Sequence, residues 1–206
     1  MKKYKDFIKS IIIVMGTQAA MYFLIKTFIT NYHMMSSTIT IPFIKEFAYF
    51  YGSWYPMILF TAFVVYKCDK ELYKRLTFTM ILGALFSHLT FIIYPTMITR
   101  PEISVNNITD FIIYFTYETD TPVNCLPSVH CLYCFITSYY IIKCKTLNIK
   151  NKLLIVIYHL LIILSTLFIH QHVIEDTILA LIYTIISILI VTLFKDKFKK
   201  VLEFMF

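Results

Sequence analysis

Two clusters in this 206-residue chain consist of residue types that do covalent chemistry. His172 is followed four positions later by Asp176, the spacing that stacks two side chains on one helix face. A carboxylate so placed accepts from one imidazole nitrogen, fixes the tautomer and leaves the other nitrogen as a free lone pair, which makes an oriented nucleophile. In a soluble protein such a pair would read as a helix end satisfying itself. At the start of an apolar span an ionisable pair is costly and marks function. The second cluster is Pro127-Ser128-Val129-His130. Pro and Ser mark a helix start, and the unpaired N–H groups of a first turn, with the Ser128 hydroxyl, make an anion site. His130 projects from that turn and, when protonated, can donate to a leaving alkoxide, the general-acid half of a displacement.

The elements that must position these groups are membrane helices. At 59% hydrophobic, 17% aromatic and 15% charged, the chain carries more apolar surface than a soluble fold of its size buries. Six apolar windows, 8–29, 47–66, 76–94, 126–142, 153–169 and 173–194, predict an all-α integral membrane fold of six transmembrane helices in one domain over 1–206. The fourth and fifth windows are short, which local bilayer thinning would accommodate. Lys2, Lys3, Lys5 and Lys9 precede the first window, and Lys67, Lys70, Lys74 and Arg75 separate the second from the third. Lys143, Lys145, Lys150 and Lys152 separate the fourth from the fifth, and Lys195, Lys197, Lys199 and Lys200 follow the sixth. Only Lys26, Lys45 and Arg100 lie elsewhere, so both termini are expected in the cytoplasm of a multi-pass cell-membrane protein whose chemistry faces outward. Topology and anionic headgroups account for the net charge of +7, and no nucleic-acid partner is needed. The first window resembles a signal sequence but has no small-residue cleavage site, and reads as an uncleaved anchor.

Two connections are long. Residues 30–46 suit a short amphipathic segment at the interface, and 95–125 show no helical periodicity, although long loops of this kind are often functional. Trp54 and the tyrosines near span ends fit an aromatic belt without a chemical role. The three glycines, Gly16, Gly52 and Gly83, form no phosphate-cradling run, so a P-loop or Rossmann site is excluded at the level of motifs. Cys131 and Cys134 share a helix face in a C-x-x-C, a spacing that fits packing better than redox work without a thioredoxin-like context. Arg100, beside Pro101, suits a bidentate clamp on phosphate oxygens; as an ordinary loop cation it would pair with Glu102.

Together these segments resemble the type-2 phosphatidic acid phosphatase superfamily of six-span lipid phosphatases and phosphotransferases. Its signatures are K-x6-R-P, P-S-x-H and S-R-x5-H-x3-D. Arg100-Pro101 is similar to the end of the first, Pro127 to His130 to the second, and Ser165-Thr166 through His172 and Asp176 to the third. Ile93 stands where the first signature has Lys, Thr166 where the third has Arg, and Val129 where Gly is usual, which weighs against substrates carrying a full monoester dianion. Asp120, Pro122 and Asn124 ahead of Pro127, with Gln171-His172, resemble more closely the branch of inositol phosphotransferases and sphingolipid head-group synthases. The resemblance implies a metal-independent lipid phosphatase or head-group transferase without cofactor, acting on a lipid phosphate through a phosphohistidine. His172 would be nucleophile, His130 acid and Asp176 orienting partner, with Arg100, Ser128, Ser165 and His170 binding phosphate. Competing classes are a zinc hydrolase on His130, His170, His172 and Asp176, a thiol oxidoreductase on Cys131 and Cys134, and a transporter. The substrate lipid, the choice between hydrolysis and transfer, and the oligomeric state have no sequence signature.

Overall fold

In the computed structural model, which describes residues 4–194, the chain is a helical bundle closed at one end by its long loops. In chain order the elements are α1 (Lys5–Phe28), β1 (His33–Met35), a 3-10 turn (Lys45–Phe47) running into α2 (Ala48–Gly52), and α3 (Trp54–Cys68). They continue with α4 (Lys70–Ile93), β2 (Thr96–Ile98), α5 (Ile108–Thr119), α6 (Val129–Lys143), α7 (Ile149–Phe168) and α8 (Ile174–Leu193). Local chemistry sets several starts: Asp69, Asn107, Ser128 and Asn148 each accept a first-turn N–H of α4, α5, α6 and α7 respectively.

α6 sits at the centre, packed on α3, α4, α7 and α8, while α1 lies outside against α3 and α4. The core runs through Ile58, Leu76, Met80, Leu132, Ile136 and Ile162. Gly83 lets α4 approach α6, because a Cβ there would stand 3.2 Å from Leu132. The bundle buries polar groups among its apolar core and turns further apolar side chains outward. Fully buried His159 bonds Thr61 at 3.1 Å and Ser138 at 2.8 Å, tying α7 to α3 and α6, while Ile12, Phe23, Ile157, Leu160, Ile185 and Leu189 are exposed. That arrangement suits helices solvated by lipid.

Among the described residues four helices, α1, α4, α7 and α8, are each long and apolar enough to cross a membrane, and Lys45–Gly52 with α3, bent by 40°, adds a fifth if the pair is one span. α6, which fills the fourth apolar window, has 15 residues. At a rise of 1.5 Å per residue it extends about 22 Å, short of the ~30 Å hydrocarbon core. Lys2, Lys3 and the cluster from Lys195 to Lys200, used above to orient the chain, lie outside the described residues.

Both long loops depart from expectation. Residues 30–46 carry β1, which pairs in parallel with β2 (His33 opposite Thr96, Met35 opposite Ile98), in place of an amphipathic segment. The pairing gives two loops above the bundle partners for their backbone groups. Residues 95–125 contain a helix, α5. Its buried stripe is Asp110, Ile113 and Thr116, and two polar members of three conceal a helical period from a hydrophobicity pattern.

Candidate active site

α6 and α8 begin side by side. The Ser128 N–H donates to the Asp176 carbonyl at 3.2 Å, and the fully buried Ser128 hydroxyl caps α6 by accepting from Cys131 N at 3.3 Å. This leaves the Val129 and His130 N–H groups of the first turn directed at the space before the helix. α7 reaches α8 through a tight reversal in which Gln171 N donates to Thr166 O at 2.9 Å and His170 N to Leu167 O at 3.0 Å. That bond pattern is a Schellman motif, and His170 occupies its left-handed position at φ 52°, where glycine is usual. The reversal delivers His172 one residue before the Val173 N-cap of α8. Its Nδ1 lies 2.9 Å from Asp176 Oδ2, and the same oxygen accepts from Val173 N at 3.1 Å. The pair therefore meets through the helix entry, with Asp176 reaching back as a cap, and His172 is not itself helical as the spacing argument had it.

His130, in the first turn of α6, faces this pair with its ring centroid 6.0 Å from that of His172. The His130 ring packs on Tyr51 (4.6 Å) and Trp54 (4.4 Å), and the indole Nε1–H donates to the His130 carbonyl at 3.1 Å. Trp54 is thus 3% exposed and part of the site wall, a correction to its assignment to an interfacial belt. Asp120, the C-cap of α5, brings Oδ2 to 3.9 Å from His130 Nε2 and accepts from the Tyr51 hydroxyl. Tyr51 in turn accepts from Gln171 Nε2 at 3.4 Å.

Arg100 does not pair with Glu102. Its Nη1 donates to the Tyr117 carbonyl at 3.2 Å, its guanidinium lies 4.7 Å over the Tyr117 ring, and its buried Nε has no protein partner. Burial holds the guanidinium below its usual value and Asp120 pushes the other way, yet it stays charged at any physiological pH. Asn124, buried at φ 58°, likewise leaves both amide atoms unpaired. Buried donors without partners are rare, and an oxyanion would satisfy them.

The structure brings His130, His172, Asp176 and Ser128 into direct contact or facing positions, with Arg100 in electrostatic range of Asp120. Two expected phosphate ligands are placed otherwise. The Ser165 hydroxyl is fully buried in α7 and donates to Ile162 O at 2.6 Å. His170 turns its Nε2 to the Ile41 carbonyl at 3.0 Å. Of the two positions where the family signatures carry a cation that this chain lacks, Ile93 is 78% exposed at the end of α4, and Thr166 is buried with its hydroxyl on Ile163 O. Cys131 and Cys134 are fully buried, with Cys131 Sγ 3.5 Å from the Thr166 and Thr177 hydroxyls, and burial pushes the Cys125 thiol up. Among the described residues no three His, Cys, Asp or Glu side chains converge as a metal site.

The loops close over one side of His172. Residues 35–37 and 39–41, Ile98, Thr99, Leu167, His170 and Val173 line with it an open-sided cavity of about 280 Å³. The cover is pinned by Thr38, whose N–H and hydroxyl donate to Glu175 Oε1 at 3.0 and 2.7 Å. Lys45 to Asp110 at 2.7 Å fixes the 3-10 turn to α5, and the ammonium holds the Asp110 carboxyl below its usual range. Tyr51, Trp54, Asp120 and Gln171 complete the site by long-range contacts.

No curated protein and no solved structure matches the chain. A family model, that of the PAP2 superfamily, matches residues 72–200, which takes in β2, α5 to α8 and nearly all of α4. Because the match covers well over half of the chain and encloses both histidine clusters with Arg100 and Asp120, the protein belongs to the PAP2 superfamily.

Proposed function

We propose that this protein is an integral-membrane lipid phosphatase or head-group phosphotransferase that works through a phosphohistidine at His172, with its site on the outer face of a six-span bundle. Membership of the PAP2 superfamily supports phosphatase or phosphotransferase chemistry in general. The observation that carries the finer reading is the pairing of His172 Nδ1 with Asp176 at 2.9 Å while the His130 ring faces it 6.0 Å away. The pairing leaves Nε2 of His172 as the free lone pair. Nε2 attacks phosphorus, His130 protonates the leaving oxygen, and water or an alcohol resolves the intermediate with His130 as base. Arg100, Ser128 and the first-turn N–H groups of α6 are assigned to the phosphoryl oxygens. His170 and Ser165, occupied elsewhere, are left to shape the α7–α8 reversal. The lipid phosphate would be cleaved by purified protein without added metal, and a panel of lipid phosphates with and without acceptor alcohols tests this and separates hydrolysis from transfer.

In this reading α1, α2 with α3, α4, α6, α7 and α8 make the six crossings, both termini are cytoplasmic, and α6 starts below the outer surface. Support comes from the described cations of the α3–α4 and α6–α7 connections, which sit at the bundle end opposite the site: Lys67 and Lys70 adjoin Tyr4 and Tyr66 there, and Lys152 donates to Ile142 O at 2.9 Å. Ser104, exposed in the loop before α5, offers a check. A Ser104→Cys variant should react with an impermeant thiol reagent in intact cells; reaction only after lysis would invert the topology.

Arg100→Lys should lower kcat/KM by about 10- to 100-fold, because an ammonium replaces a planar fork whose charge-assisted bonds are each worth about 1.5–3 kcal/mol. The stack on Tyr117 and the bond to its carbonyl would go as well. Steady-state kinetics on the best lipid phosphate would show it; unchanged kcat and KM would put Arg100 outside the site.

A further inference from the structure

We infer that Asp120, steadied by Tyr51, is a positioning residue that favours the proton-bearing form of His130 against the effect of burial. The inference rests on the reading of His130 as the general acid. A general acid must hold its proton at rest, and His130 sits where that is hard: its ring is packed between Tyr51 and Trp54, and burial disfavours an imidazolium. Among the described residues, the titratable groups facing it are His172, which as a second imidazole gives no help, Tyr51, and the carboxylate of Asp120. Asp120 Oδ2 stands 3.9 Å from His130 Nε2, too long for a hydrogen bond but close enough to favour a charge there. Arg100 lies within electrostatic range of the same carboxylate.

Nothing in α5 itself explains Asp120. It is the C-cap residue, where a carboxylate opposes the helix dipole, and the backbone bond that ends the helix, Asp120 N to Thr116 O at 2.9 Å, needs no acidic side chain. The side chain is instead fixed by the Tyr51 hydroxyl, which donates to the very oxygen that faces His130. Gln171, next to the nucleophile, donates to that same hydroxyl, so the aspartate is oriented from the α7–α8 reversal.

In the first half-reaction the N–P bond to His172 forms, the P–O bond to the leaving group breaks, and the proton on His130 passes to the departing oxygen. In the second, water or an alcohol gives its proton to His130 while its oxygen takes phosphorus from His172. Asp120 neither gains nor loses a proton in either half. Its work is to favour the imidazolium before the first half and after the second.

The test compares Asp120→Asn, Asp120→Glu, Tyr51→Phe and His130→Ala on an alkyl phosphate and on nitrophenyl phosphate, whose leaving group needs no proton. Asp120→Asn should slow the alkyl ester at least about tenfold, leave the nitrophenyl ester within about threefold, and move the basic limb of kcat/KM for the alkyl ester to lower pH, since less base then suffices to strip His130. Asp120→Glu should recover part of the loss, and Tyr51→Phe should show the same pattern more weakly. In an His130→Ala background, Asp120→Asn should add little. Equal loss on both esters with an unmoved pH limb would make Asp120 merely structural and overturn the inference. Absence of any leaving-group dependence in His130→Ala itself would instead sink the assignment of His130, and this inference with it.

Discussion

His172→Ala should lose turnover on every substrate by at least about 10⁴-fold, the scale on which enzymes respond to loss of a nucleophile. It should also fail to form the acid-labile phosphoenzyme that rapid quench of the wild type with labelled substrate would trap. The expectation extends to nitrophenyl phosphate, because a good leaving group relieves the acid and does nothing for the attack. Folding should be spared. The His172 side chain makes one hydrogen bond, to Asp176, and the reversal that carries it is built from backbone bonds to Thr166 O and Leu167 O. A trapped phosphoenzyme in the alanine variant would place the nucleophile elsewhere and end the mechanism proposed above.

The parts of this site that could be read from sequence are those held by short-range rules. Ser128 as a cap and the four-residue reach from His172 to Asp176 are local, and both are present in the structure. Even there the detail differs, since His172 precedes α8 and Asp176 reaches back to it as a capping side chain. The remaining members come from far along the chain. Tyr51 and Trp54 pack on His130 across almost eighty residues, and such contacts have no periodic trace. The one available signal was that the only tryptophan begins a helix whose start lies at the same bundle end as His130. His170 misled for a different reason. Its place is a left-handed helix end that usually holds glycine, and a histidine there looks like a ligand although its ring nitrogen serves the Ile41 carbonyl. The bundle itself was legible because membrane helices declare themselves by length and apolarity. α6 blurred the count, being central and short: its buried face holds cysteines, threonine and tyrosines in place of a long lipid-facing run.

Asp176→Asn should leave the fold intact and slow phosphoenzyme formation by about 10²- to 10⁴-fold, the upper end being the scale seen when a catalytic His loses its carboxylate partner. In the wild type a single oxygen, Oδ2, serves both His172 Nδ1 and Val173 N, while Oδ1 has no partner. The amide has two ways to sit, and each costs the reaction. With its oxygen in the place of Oδ2, both bonds and the tautomer survive, but no anion remains to balance the positive charge that His172 acquires as the N–P bond forms. With its nitrogen there, Val173 N–H loses its acceptor and the NH₂ meets Nδ1 as a donor, so the ring proton shifts to Nε2 and the nucleophilic lone pair is gone. The tie between α6 and α8 is untouched in either case, because Ser128 N donates to the Asp176 backbone carbonyl. Single-turnover rates alongside thermal unfolding would separate catalytic from structural loss. A variant that forms phosphoenzyme at the wild-type rate would show that Asp176 serves only to start α8.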